Sequence, residues 1–361
     1  PKISGNRVVW QDSRSGSWQI YVKDTAGGDS LVVTSGSSDH TYPAISGNII
    51  VWQDNRNGNW DIFGYDVTQQ QDLVISADAG NQERPVIAGE WVAWQDDRNG
   101  NWDIYAYNLT ANTLVQVTNH VRDQIHPVIT NNILSWEDYR HGLGEIYTYD
   151  LASGTETRYT VDINNQTLPA LSGSALVWTD QRNNQRDIYY SPAQSSEVRV
   201  TYGTGDHSQA TLLNDVIVYA DYEAGLNDPN LAFYDTRSGV GALLTANPAR
   251  QEEPGLGEDV LVWQDDRDGS NRIYWSDFAI EALPISADLK PGLNLIAVGD
   301  KLAKAYPTTS SLLAALPNGI TIEKIVGYSS QNNAFMDTSA GADIALQKGM
   351  AIGVYAQGGG T

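Results

Sequence analysis

WQDDRNGNWDIY, residues 94–105, packs three carboxylates, an arginine, an amide-rich turn and two tryptophans into one short stretch. Such density suits a catalytic cluster, a metal loop or a structural hairpin, and the rest of the chain decides among them. The stretch recurs, as VVWQDSRSGSWQIY from Val8, IVWQDNRNGNWDIF from Ile50 and VAWQDDRNGNWDIY from Val92. Weaker copies follow: LSWEDYRHGLGEIY from Leu134, LVWTDQRNNQRDIY from Leu176, IVYADYEAGLNDPNLAFY from Ile217 and LVWQDDRDGSNRIY from Leu261. The anchoring aromatics Trp10, Trp52, Trp94, Trp136, Trp178, Tyr219 and Trp263 stand about 42 residues apart, a period that belongs to blade or solenoid repeats. Seven equivalent copies cannot all be one active site.

Each unit reads as four β segments. In the second copy these are Pro43 to Ser46, Ile49 to Asp54, Asp61 to Val67 and Asp72 to Ser76, separated by Gly47-Asn48, Asn57-Gly58 and a Gln-rich loop. The second segment is apolar on both faces, as a strand pressed between two neighbouring sheets must be. The first opens with proline in six units, at Pro1, Pro43, Pro85, Pro127, Pro169 and Pro254, which suits an edge strand because proline cannot donate to a ladder. The predicted fold is therefore all-β: a seven-bladed β-propeller of four-stranded blades over residues 1–288, followed by a small β-rich C-terminal module over 289–361. Copy seven is expected to supply its own fourth strand at Glu281 to Ser286, and the module one helix at Ser310 to Leu316, capped by hydroxyl residues and stopped by Pro317.

The pattern P-x-[IL]-x-[GN]-x-x-[IVL]-x-W-x-D-x-R-x-G, closed by [DE]-I-Y, resembles the WD40-like, TolB-type propeller repeats of secreted and cell-surface proteins. The resemblance spans residues 1 to about 288. It implies the fold and an extracellular or cell-surface location, and little about activity, since propellers host many functions. Similar propellers include metal-dependent uronate lyases.

Lys and Arg number 22 against 44 Asp and Glu, a net charge of −22 that repels phosphate backbones and so argues against nucleic acid. Cysteine is absent, which excludes disulfides and thiolate metal sites. No apolar run is long enough for a transmembrane helix. The chain opens at Pro1 with neither Met nor signal peptide, as expected of a processed or excerpted chain.

Within the motif, a hairpin centred on Asn57-Gly58 sets Asp54 opposite Asp61, and one on Asn99-Gly100 sets Asp96 opposite Asp103. Facing carboxylates repel unless neutralised. Arg56 and Arg98 are expected to clamp both members of each pair through the guanidinium fork. The calcium pattern D-x-[DN]-x-[DN]-G fails, because Arg98 falls where an oxygen ligand is required. No metal or cofactor is therefore expected, calcium or another divalent cation being the alternative.

The segments before each first strand differ more than the motif does: DHTYP (39–43), NQERP (81–85), DQIHP (123–127), NQTLP (165–169), DHSQA (206–210) and RQEEP (250–254). They place His40, Glu83, Arg84, His126, His207, Glu252 and Glu253 as candidates to ring one mouth of the channel, where propellers bind ligands. Three histidines across a narrow channel would suit a metal. No nucleophile elbow, zincin, P-loop or dinucleotide motif is present. The sequence points to a non-catalytic surface protein that binds protein partners or itself, with a glycan-binding or polysaccharide-degrading propeller as the alternative.

Overall fold

The computed structural model describes residues 1–193, 196–222, 228–237, 239–245, 249–258 and 260–281, and the strands 292–298, 321–329, 334–337 and 350–357. The fold is a seven-bladed β-propeller. Blade two shows the pattern: His40–Ser46, Ile49–Asp54, Asp61–Asp66 and Gln71–Ser76 form an antiparallel sheet in chain order. Blades one and three to six repeat that order. The contacts divide the chain into two compact units, one running to residue 214 and one from residue 215 onward, and each is described by itself.

In the first unit the cores lie between blades. Val51 and Ile62 of blade two pack with Ile87, Val92, Trp94 and Tyr105 of blade three, while Ile50 and Trp52 turn the other way, onto Val9 and Ile20 of blade one. Alternate side chains of one strand thus serve two different cores, which is why the second strand is apolar on both faces. Trp94, Trp136 and Trp178 are fully buried, each a fixed wedge between sheets. First strands of successive blades lie against one another, as edges lining a channel should.

The first strand of blade two begins at His40, three residues before the expected Pro43. It does so through a β-bulge: Thr41 pairs with Gln53 and Ala44 with Val51, setting the two residues Tyr42-Pro43 against Trp52 alone. The same shift brackets Arg84-Pro85, His126-Pro127, Leu168-Pro169 and Glu253-Pro254. Proline sits where no ladder bond is asked of it, and the chain pairs on both sides.

In the second unit, blade seven comprises Gln251–Leu256, Val260–Asp265 and Arg272–Glu281. Glu281 ends this third strand rather than starting a fourth, and residues 282–286 lie outside the described residues, as does the expected helix at 310–316. Phe278 to Glu281 pair in parallel with Leu293 to Ile296 of Gly292–Val298. That strand pairs antiparallel with Met350–Gln357, which continues to Thr321–Ser329 and Ala334–Asp337. One sheet therefore runs from blade seven into the C-terminal strands.

Candidate functional site

In blade two, the acids and the arginine of the repeated motif are bonded within their own blade. Asp54 is fully buried and opposite Asp61, as the sequence required. Its carboxylate accepts the Trp52 indole N–H at 3.2 Å, the Arg56 main-chain N–H at 2.9 Å and Arg56 Nε–H at 2.9 Å. Burial pushes Asp54 upward, but the hydrogen bonds from His40 and Arg56 outweigh it and hold the carboxyl far below the usual range. The indole bond recurs from Trp94 to Asp96 (2.9 Å), Trp136 to Asp138 (3.0 Å) and Trp178 to Asp180 (3.0 Å). Each arginine also lies over the aromatic of the third strand, Arg56 over Phe63 at 4.2 Å and Arg98 over Tyr105 at 4.5 Å.

The clamp is narrower than the sequence suggested. Arg56 holds Asp54, while Asp61 accepts from Asn57 Nδ2 (2.7 Å) and Asn59 Nδ2 (2.8 Å). In blade three Arg98 binds Asp96 and reaches Asp78 at 2.9 Å, whereas Asp103 accepts from Asn99, Gln116, Thr118 and the His120 main chain. The reason is the turn. Asp54 captures the Arg56 N–H and Gly58 N–H bonds Asn55 C=O, so the chain turns immediately after Asp54 and the guanidinium stays on its own strand. Asn57-Gly58 closes that turn instead of forming its centre; Gly58 takes φ 97°, a conformation glycine adopts without a Cβ penalty. Asp103 lacks an arginine, and burial raises its carboxyl despite those hydrogen bonds. Glu223, the one acid in the arginine position, lies outside the described residues.

The loops before each first strand share a hidden order. In the first position, Asp39, Asn81, Asp123, Asn165 and Asp206 accept main-chain N–H groups of Trp18, Trp60, Trp102, Gly144 and Arg186 in the preceding blade, at 2.9–3.3 Å. In the second, the main-chain N–H of His40, Gln82, Gln124, Gln166 and His207 bonds the carbonyls of those same five residues. His40 and His207 are thus counterparts of buried glutamines and do not reach the mouth. His40 lies between Asp54 (Nε2, 3.0 Å) and the Trp18 carbonyl (Nδ1, 3.2 Å); His207 is buried beside Asp187 at 3.8 Å. The three histidines do not converge. Among the described residues, no group of three or more His, Asp or Glu is arranged to hold a metal ion.

The fourth position, before Pro43, Pro85, Pro127, Pro169 and Ala210, carries an unusual backbone. Tyr42, Arg84, His126, Leu168 and Gln209 all have φ between 51° and 54°, a left-handed conformation that costs a non-glycine residue on the order of 1–2 kcal/mol. The conformation turns the residue's N–H toward the preceding blade, where a side chain accepts it: Gln11 from Tyr42 (2.7 Å), Gln53 from Arg84 (2.9 Å), Gln95 from His126 (3.1 Å) and Glu137 from Leu168 (2.8 Å). These acceptors are the residue after the anchoring tryptophan, a role invisible in the motif alone. Regular spacing of 31 residues between acceptor and bulge was the available signal.

Of the mouth candidates, Arg84 and His126 stand in this row on adjacent blades, and Glu83 is partly buried beside Arg84. Burial raises the Glu83 carboxyl. Arg84 lies over the Tyr42 ring at 4.5 Å and donates to its hydroxyl at 3.2 Å. His126 donates from Nδ1 to Glu137 at 2.7 Å, and Tyr139 donates its hydroxyl to the other Glu137 oxygen at 3.0 Å. Burial, then the Glu137 charge, pushes the Tyr139 phenol well above its ordinary value. In the second unit Glu252 accepts from Arg250 (3.4 Å) and Gln264 (3.3 Å), and Glu253 is the exposed bulge residue with φ 53°.

No known protein family and no curated protein sequence matches the chain. Solved structures do. The β-propeller domain of the Trilobed protease from Pyrococcus furiosus, which has an open velcro topology, superposes with a TM-score of 0.63 at 11% identity over 76% of this chain and 93% of that one. An oligogalacturonate lyase from Vibrio parahaemolyticus gives 0.59 at 13% over 76% and 88%. TolB from Acinetobacter baumannii gives 0.52 at 19% identity, over 69% of this chain and 66% of TolB's length. At such identities the likeness speaks to architecture and not to activity. The W-x-D-x-R blades, the inter-blade cores and these superpositions together give the chain the β-propeller fold that TolB and the lyase also have.

Proposed function

We propose that this propeller is a non-catalytic interaction protein of the cell surface or exterior, binding a protein partner or further copies of itself through one loop face. The supporting observation is an asymmetry of exposed apolar side chains. In a four-stranded blade the second-to-third turn and the crossing to the next blade emerge on one face, the other two turns on the opposite face. Among the described residues, every strongly exposed large apolar side chain on a loop belongs to the first face: Trp18, Val121, Leu143, Val161, Ile163 and Tyr202. Val121 and Ile163 are 85% and 86% exposed. A cleft of about 460 Å³ lined by Leu143, Asn164, Asn165, Gln185, Arg186 and Asp206 opens on the same side. Apolar groups concentrated on one face and rimmed by polar ones are what interaction surfaces present. Among the described residues no helix is long and apolar enough to cross a membrane.

The test is a Val121→Asp, Ile163→Asp double variant compared with the parent by sedimentation over a wide concentration range and by cross-linking on native cell envelopes. Association that the parent shows and the variant loses supports the reading. A parent that stays monomeric and captures the same proteins as the variant overturns it. A second reading, a glycan-binding or polysaccharide-degrading propeller, draws on the Glu137, His126 and Tyr139 cluster at the mouth and on the architectural likeness to an oligogalacturonate lyase. Turnover of an acidic oligosaccharide would favour it.

A further inference from the structure

Blade five breaks the repeat at a backbone that resists the change. The turn after the anchoring acid closes on glycine in the six other units, and where described that glycine (Gly16, Gly58, Gly100, Gly142 or Gly269) takes φ between 81° and 106°. Blade five has Asn184 there, still left-handed at φ 61° and still bonding Gln181 C=O through its main-chain N–H at 3.2 Å. A non-glycine residue holds such a conformation at a cost, asparagine at less than most. The Asn184 carboxamide returns nothing to the blade, being exposed and bonded to no other described residue. It lines the cleft of about 460 Å³ on the loop face.

The rest of that lining is of the same kind. Asn165 accepts the Gly144 N–H at 2.9 Å and donates to Gln181 at 3.2 Å; Gln185 donates to Asp187 and to Gly203 C=O, both at 3.0 Å; Asn164 donates to Asp162 at 2.9 Å. Each amide is thus fixed through one end, and Gln181 Nε2, Gln185 Oε1 and Asn164 Oδ1 bond no described residue. The two charged groups of the lining, Arg186 and Asp206, bind each other at 3.0 and 3.2 Å. Where blades one to three place Trp18, Trp60 and Trp102, blade four has Gly144, between Leu143 and the Asn165 side chain that it bonds. No indole stands at that wall.

Carboxamides present donors and acceptors side by side, and hydroxyl groups answer both. An anion meets a cation already paired with Asp206, in a chain of net charge −22. A peptide is recognised along an open strand edge or through apolar anchors in a groove, whereas this cleft is built of turns. Its volume falls within the roughly 300–1,000 Å³ of small-molecule sites. We propose that the cleft binds a neutral sugar unit, the amides of Asn164, Gln181, Asn184 and Gln185 meeting its hydroxyls and Leu143 its C–H face. The cleft shares only Leu143 with the strongly exposed apolar groups of the loop face, and none of His126, Glu137 and Tyr139 lines it. It therefore stands whether or not that face binds a partner.

The probes are the methyl glycosides of glucose, galactose, mannose and N-acetylglucosamine, titrated into 15N-labelled protein and followed on the side-chain amide resonances, with glucuronate, glycerol and N-acetylglycine methylamide as comparisons. Saturable movement of the Asn184, Gln185 and Gln181 signals by at least one glycoside, unaffected by sodium chloride, is expected. Asn184→Gly, which restores the residue of the other blades, should weaken that glycoside about ten-fold while the melting temperature holds or rises. The Val121→Asp, Ile163→Asp variant should bind it as the parent does, so that loss of association and loss of sugar binding are read apart. A trisaccharide of the same unit that binds more tightly assigns the cleft to a glycan chain, and equal binding assigns it to a single terminal unit. The proposal is overturned if no glycoside moves these signals, if glycerol saturates them equally, if glucuronate or the methylamide binds more tightly than every glycoside, if Asn184→Gly keeps full affinity, or if the shifts gather at His126 and Tyr139 instead.

Discussion

At the residue scale, W-x-D-x-R is one bonded object. The indole is both a wedge between blades and a hydrogen-bond donor, so truncation removes two things. Trp94→Ala should cost about 3–5 kcal/mol in urea unfolding, and Trp94→Phe, which keeps most of the bulk but not the N–H, less. Two acids that look alike should respond to pH in opposite senses. The folded-state Asp54 carboxyl lies below its unfolded value, so the stability it contributes is present above the ordinary carboxylate range and lost as pH falls through the folded value. Asp103 is raised, so its effect reverses: stability falls as pH rises from the unfolded value to the folded one. Unfolding free energies measured from pH 2.5 to 6 should show a shallower rise for Asp54→Asn than for the parent, and a steeper one for Asp103→Asn. Matching slopes in the two variants would refute the assignment. That the copies share one pattern could be read by laying them side by side. Which donor serves which acid could not, because it depends on a turn that closes one residue after Asp54.

At the element scale, the bulged first strand carries most of what the sequence concealed. The second and third strands of blade two were legible to within a residue, since Ile49 to Asp54 and Asp61 to Asp66 announce themselves by β-branched and aromatic runs. The bulge was not, because its left-handed residues are Tyr42, Arg84, His126 and Leu168, and none is the glycine that usually marks such a backbone. The placing of His40 and His207 followed from taking the loops as unlike, when their first two positions keep one role. Gln95→Ala leaves the His126 N–H without its acceptor and should cost about 1–3 kcal/mol. Leu168→Gly relieves the backbone but gives up a side chain only 36% exposed, so the two effects should nearly cancel, leaving a change within about 1 kcal/mol. Paired melting curves check both; a Leu168→Gly destabilised by more than that would show that its side chain, and not its conformation, is what matters there.

At the scale of the whole molecule, the repeat number and the strand order were written in the period, while the one-sided exposure of apolar loop residues was not, since exposure depends on which turns share a side. The net charge of −22 opposes compaction through self-repulsion that salt screens within about 8 Å at physiological strength. Raising sodium chloride from about 10 to 200 mM should therefore raise the melting temperature, as read by the circular-dichroism transition. The bond that ties the bulges of blades two to five to the preceding blade is given by the main-chain N–H, an atom every residue but proline possesses. The side chain at that position therefore owes nothing to the fold. Tyrosine, arginine, histidine and leucine occupy it in turn with the same backbone and the same acceptor distance to within half an ångström. The channel mouth is thus a row of interchangeable letters on a fixed spine, free to drift toward new ligands one blade at a time without renegotiating how the blades hold together.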